Sequence, residues 1–120
     1  MSLREIGLSG EHIAVSYLKK KGYKILATNF QLRFGEIDIV AQKGQTLCFV
    51  EVKTRNNTKF GNPEEAVSFQ KQKRISLAAT VYLSAYKPEF EDCRFDVLSL
   101  LMGHPIHIKH YESAFDSPLG

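Results

Sequence analysis

This chain of 120 residues lacks most of what would send it to a membrane, out of the cell or around a zinc ion. No apolar run approaches the roughly 18 residues that a membrane-crossing helix needs, so no membrane partner is expected. Its opening residues, Met1 to Gly7, include Glu5 and have no long apolar segment behind them, unlike a secretory signal. A cytoplasmic location is the expectation. Cysteine is scarce: Cys48 alternates in phase with Val50 and Val52, and Cys93 stands just before a predicted strand, so both read as small core or boundary residues rather than a disulfide. No zinc-ligand spacing occurs. Internal repeats, low-complexity tracts and interdomain linkers are also missing, and 120 residues build one core but not two, so residues 1–120 form a single domain.

Two adjoining stretches carry the information that is present, Gly35-Glu36-Ile37-Asp38-Ile39-Val40 and Phe49-Val50-Glu51-Val52-Lys53-Thr54-Arg55. Each alternates charge with branched apolar residues, the pattern of a strand whose faces see different surroundings. Lys43-Gly44-Gln45 between them is short, polar and glycine-bearing, so the pair reads as an antiparallel hairpin. With Lys43-Gly44 at the tip, Glu36 faces Glu51 and Asp38 faces Phe49. With Gly44-Gln45 at the tip, Asp38 faces Glu51 and Glu36 faces Lys53. Both registers keep the four charges on one wet face and Ile37, Ile39, Val50 and Val52 on a core face.

Directly opposed residues lie about 4.5–5.5 Å apart, so the carboxylates of Asp38 and Glu51 can share a hard cation. Two negative charges about 4 Å apart cost roughly 4 kcal/mol at an effective dielectric near 20. A metal, the Lys53 ammonium or protonation of one acid must offset that. Magnesium takes oxygen ligands, often one or two carboxylates with water and phosphate, and Asp38, Glu51 and the Val52 carbonyl suit it. Lys53, on the same face, is placed to touch a phosphate or hold an attacking water.

The remaining elements frame this hairpin. A helix is predicted over 9–21, with Ser9 as N-cap and Gly22 as terminator, and Glu11 falls on its apolar stripe; the helix dipole alone would also favour an acid there. A strand follows over 23–30, and 54–61 reads as a loop that could contact substrate. Asn62-Pro63-Glu64-Glu65 is a helix-start signature, predicting a helix over 62–85 whose stripe Val67, Lys71, Ile75, Ala78 and Tyr82 is interrupted by Lys71. Lysine can lie along a core edge with its amine wet, or that amine can point toward Lys53. Strands are predicted over 94–100 and 105–111, with Asp96 a hydrogen-bonding acid rather than a metal ligand, and His104, His107 and His110 no metal cluster because His107 points away from the other two.

The net charge of +3 is modest, but residues 53–74 carry +4 and the rest −1. Lys53, Arg55, Lys59, Lys71, Lys73 and Arg74 thus follow the acidic strand directly, which suits a nucleic acid held beside a metal-loaded carboxylate pair. A solvated helix face accounts for the same charges in an ordinary protein.

The order helix, three strands, helix, strand, with Asp38 on the second strand and Glu51-Val52-Lys53 on the third, resembles the PD-(D/E)XK nuclease superfamily. Gly10-Glu11, Asn29, Gly35-Glu36-Ile37-Asp38, Phe49 to Arg55, Lys71 and Arg94-Phe95-Asp96-Val97 extend the likeness over nearly the whole chain to the YraN family of bacterial proteins, which is similar to archaeal Holliday junction resolvases. Ile37 stands where the superfamily motif has proline, as in resolvase-like members. The resemblance implies an α/β, restriction-endonuclease-like αβββαβ core with a mixed central sheet flanked by helices. It implies magnesium- or manganese-dependent hydrolysis of nucleic acid, expected to be structured or branched DNA, leaving a 5′-phosphate and a 3′-hydroxyl. Carried over by position, Glu11, Asp38 and Glu51 are the acidic site residues, Lys53 the catalytic lysine and Lys71 an auxiliary helix residue; the charge distribution, not the resemblance, offers Arg55, Lys59, Lys73 and Arg74 as the nucleic-acid contacts. Symmetrical cutting of both strands would call for a homodimer. The rival expectation is a non-catalytic nucleic-acid-binding module that keeps the fold, with Glu51 and Lys53 merely paired.

Overall fold

The computed structural model describes residues 3–56 and 67–119. Along them run α1 (Leu3–Lys20), β1 (Lys24–Leu32), β2 (Gly35–Lys43), β3 (Thr46–Arg55), α2 (Phe69–Tyr86), β4 (Asp92–Leu101) and β5 (His107–Phe115). The strands form one sheet in the order β1-β2-β3-β4-β5. Every neighbouring pair is antiparallel except β3 and β4. Parallel strands cannot be joined by a tight turn, and the connection between these two carries α2. The result is a mixed α/β fold consistent with the αβββαβ restriction-endonuclease-like core, with β5 added at the edge. No helix among the described residues is long and apolar enough to cross a membrane.

The first helix begins six residues before the expected start, so Ser9 lies inside α1 and is not its cap. The next residue, Gly10, is buried against Thr54 and Leu100, where α1 crosses the sheet. Gly22 does end the helix: its φ is 93°, its N–H donates to the Lys19 carbonyl, and the Tyr23 N–H donates to that of Leu18. Leu18 and Tyr23, brought together by this paired bonding, are both buried in the α1-side core.

The second helix starts later than its sequence signature. Asn62-Pro63-Glu64-Glu65 lies outside the described residues, but Val67 and Ser68 are not helical, so no unbroken helix runs over 62–85. Ser68 is the N-cap, with φ −65° and ψ 159°, and its hydroxyl accepts from the Lys71 N–H. Val67 is buried without belonging to the helical stripe, while Ile75, Ala78 and Tyr82 do face the sheet. The expected loop over 54–61 is also corrected at its start, because Thr54 and Arg55 still belong to β3.

The expectation of one wet sheet face is overturned. Ile39, Ala41, Cys48 and Val50 pack under α1, while Val40, Leu47 and Phe49 pack under α2. Both faces are therefore covered over most of β2 and β3, which is why Leu47 to Val50 is a continuous buried run. Glu36, Asp38, Glu51 and Lys53 lie at the strand ends beyond this core. Ile37 joins the α2-side cluster although Ile39 and Ala41, of the same phase, join the other. The strand thus changes its facing around Asp38.

Away from that end, Asp96 is the hydrogen-bonding acid the sequence suggested. It is fully buried, opposite a shift in the β4–β5 pairing, and accepts from Arg94 Nε at 3.0 Å, the Ser113 N–H at 3.0 Å and His110 Nε2 at 2.7 Å. These partners outweigh the effect of burial and hold its carboxyl below the usual range. Both cysteines are free thiols, Cys48 buried and Cys93 exposed.

The β1–β2 hairpin closes through Arg33-Phe34, pairing Leu32 with Gly35. Gly35 is buried against α2 so closely that a Cβ would strike the Arg74 carbonyl group. Backbone cannot yield as a flexible side chain can, so Gly35→Ala should cost about 1–3 kcal/mol in urea unfolding. An unchanged midpoint would mean that β2 and α2 do not meet this way.

Candidate functional site

The hairpin register decides which acids meet. Lys43 pairs with Thr46 and Ile39 with Val50, so Gly44-Gln45 form the tip. Gly44, at the first tip position, has φ 59°, the conformation that a two-residue turn of this hand demands and that glycine adopts without cost. This is the register that puts Asp38 across from Glu51. Regular pairing with β3 stops at Ile39, and the Asp38 side chain takes over: its Oδ2 accepts the Val52 N–H at 2.7 Å. On the other side Thr28 and Phe30 pair with Ile39 and Ile37, leaving Asn29 across from Asp38 with a left-handed φ of 51°. Asp38 therefore sits where β2 has stopped pairing with β3 while it stays in register with β1.

Burial and the neighbouring Glu51 carboxylate push the Asp38 carboxyl up to about 7, against the opposing pull of the Val52 N–H. Glu51 is only 6% exposed, on the α2-side phase of β3. Its Oε1 lies 3.5 Å from Lys53 Nζ and 3.5 Å from Lys71 Nζ, and Lys71 Nζ also reaches Glu36 Oε1 at 3.4 Å. Burial pulls the Lys71 ammonium down, but Glu51 and Glu36 outweigh it and leave its pKa raised. Of the two readings open for Lys71, the amine does point to the Lys53 site, and Ser68 fixes the helix turn that carries it.

The donor set can be tested against a divalent ion. Asp38, Glu51 and the Val52 carbonyl offer only oxygen, which matches magnesium or manganese. Among the described residues Glu51 Oε2 is buried with no hydrogen-bond partner, and so is Glu11 Oε1. Orphaned buried carboxylate oxygens are costly unless a cation or water meets them. Among the described residues no three His, Cys, Asp or Glu side chains are grouped to hold a metal. The fit is thus to a two-carboxylate site, with Glu11 outside it as a more distant acid that also raises the Asp38 pKa. Glu11 lines a separate hollow of about 290 Å³ with Thr28 and Asn29.

The expected nucleic-acid contacts divide. Lys73 and Arg74 are exposed on α2, Arg55 is half-buried at the end of β3, and Lys59 lies outside the described residues. Two members of the site had weaker sequence signals. Glu36 anchors Lys71, and its signal was its phase with Asp38; Asn29 faces Asp38, and nothing local in the sequence marks its left-handed backbone.

The model of the uncharacterised protein family UPF0102 matches residues 10–100, which include all of these site residues. A UPF0102 protein of Chlorobium phaeobacteroides strain BS1 is 53% identical over 97 residues, covering 81% of this chain and 77% of that protein. One from Syntrophomonas wolfei is 50% identical over 99 residues, covering 82% and 86%. Another from Dictyoglomus thermophilum is 45% identical over 112 residues, covering 93% and 95%. A likeness of that extent, running through both helices and the acidic hairpin, shows that the chain belongs to UPF0102, the YraN-like family.

Proposed function

We propose that this protein is a metal-dependent endonuclease-like hydrolase that cleaves phosphodiester bonds of structured or branched DNA. The observation that carries the reading is the Asp38–Glu51 pair, a half-buried carboxylate beside a buried one that has an orphaned oxygen, at the open end of a sheet. Magnesium or manganese would be held by Asp38, Glu51 and the Val52 carbonyl. When bound, such an ion neutralises phosphate charge and makes a water more acidic.

The chain's own groups supply the rest. The Lys53 side chain is 24% exposed, so its amine can leave Glu51 for an attacking water or for the charge that builds on the phosphorus oxygens. Lys71, kept protonated by its two carboxylates, presents a fixed positive charge beside it. Lys73 and Arg74 continue that charge along α2 for the flanking phosphates.

One observation favours the non-catalytic module instead. Two ammonium groups already lie on Glu51 Oε1, and a protonated Asp38 would balance the cluster without any ion. Calorimetric titration with manganese separates the readings: heat that disappears in Asp38→Ala supports the metal site, and no heat from the wild type supports the module. Junction, flap, duplex and single-stranded substrates with manganese should then be cut by the wild type, and about 100-fold or more slowly by Lys53→Ala. Cleavage unchanged in the variant would mark the activity as a contaminant's.

The Asp38 shift also has a signed effect on stability. A carboxyl raised from 3.8 to about 7 on folding makes the folded state bind more protons between those values. Stability without metal should then fall as pH rises through that window. Asp38→Asn keeps an acceptor for the Val52 N–H and removes the charge. In EDTA the variant should melt above the wild type at pH 8 and level with it near pH 4, and manganese should close the gap at pH 8. A difference in Tm that ignores pH would contradict the carboxylate pair.

A further inference from the structure

Two phenylalanines near this site have no aromatic partner among the described residues. Phe34 is 53% exposed and Phe69 is 66% exposed. A single exposed apolar residue means little. These two lie on different elements, each next to a residue that joins β2 to α2: Phe34 beside Gly35, and Phe69 two positions before Lys71. Phe34 is half of the two-residue turn between β1 and β2, held in place because the next residue, Gly35, rests on the Arg74 carbonyl of α2. Phe69 is the first residue of α2, fixed by the Ser68 cap and two positions before Lys71, which reaches Glu36 and Glu51.

Their surroundings are cationic. Arg33 precedes Phe34 and is exposed, as are Lys73 and Arg74. The Lys73 ammonium lies 5.9 Å from the centre of the Phe69 ring. A protein partner could cover the rings, but it would have to bury or match these positive charges. A polyanion with flat apolar faces suits both features, since phosphates meet the cations and bases stack on the rings. Only unpaired bases have faces free to do this, because a duplex hides them in its stack.

Resting on the nuclease reading of the Asp38–Glu51 pair, we infer that Phe34 and Phe69 are stacking platforms for unpaired DNA bases flanking the phosphate at that pair. They position the substrate and select strands that are splayed or single over continuous duplex. Neither ring takes part in the chemistry.

The test is binding in EDTA, where no strand is cut, followed by fluorescence anisotropy of a short labelled single strand, the RNA of the same sequence and the blunt DNA duplex. Phe34→Ala and Phe69→Ala should each weaken single-strand DNA binding by about fivefold or more and leave duplex binding unchanged. Phe34→Tyr and Phe69→Tyr should restore it, and the leucine variants should not. A 2-aminopurine base in the strand should lose fluorescence on binding wild type and keep it with the alanine variants. Equal losses for single strand and duplex, full binding by the leucine variants, or tighter binding of the RNA would overturn the inference. So would a wild-type dimer in sedimentation that the alanine variants dissolve. The two readings fail separately. Manganese-dependent cleavage with no effect of the rings on binding removes the platforms and keeps the nuclease, whereas ring-dependent binding without cleavage does the reverse.

Discussion

The Val52 N–H donates to Asp38 Oδ2 at a point where β2 and β3 have stopped pairing, and the site depends on that substitution. In an unbroken ladder the Val52 amide would meet a backbone carbonyl, and Asp38 would project with the rest of its face. Here a side chain satisfies the amide, the strands part, and the carboxylate is drawn in beside Glu51. The bond favours the charged form of Asp38, while burial and the second carboxylate oppose it more strongly. Pairing has been given up for proximity, as happens at sites where strain is held by the surrounding fold.

The fold keeps that arrangement from relaxing. A core on each face of the sheet fixes β2 and β3 up to Ile39 and Val50, so the acids start from rigid strand ends. Gly35 lets α2 come down on β2, and that approach brings Lys71 between Glu36 and Glu51. The exposed Lys71–Glu36 contact is worth little by itself. Its consequence is geometric, because it holds one end of a crossover helix over the sheet end that carries Glu36, Asp38 and Glu51. At the far side of the sheet Asp96 does a comparable job for β5, joining Arg94, His110 and the Ser113 amide around one buried carboxylate.

Much of this was legible in the residues themselves. Alternation in the two acidic stretches and the turn at Gly44 gave the hairpin, and of its two registers the one that places glycine first in the turn is observed. Asp38, Glu51, Lys53 and Lys71 were named from pattern and family likeness, and the fold brings those four to one end of the sheet. The failures have physical causes. Alternating charge suggested a wet face because the pattern at 36–38 and 51–53 does not reveal that a second helix covers 47 and 49. Ser9 looked like a helix start because serine favours the N-cap, whereas α1 already runs from Leu3 and carries Ser9 in its interior. Asn29 and the change of facing at Ile37 follow from tertiary pairing, which no local periodicity encodes.

The account reduces to whether the Asp38 and Glu51 carboxylates accept one divalent ion between them. A crystal grown with manganese, with anomalous scattering collected at its absorption edge, answers this directly. The account predicts a single strong peak within coordination distance of both carboxylates and the Val52 carbonyl, with Lys71 still on Glu36. A lysine ammonium or ordered water in that place, at a manganese concentration that saturates ordinary oxygen sites, would contradict it.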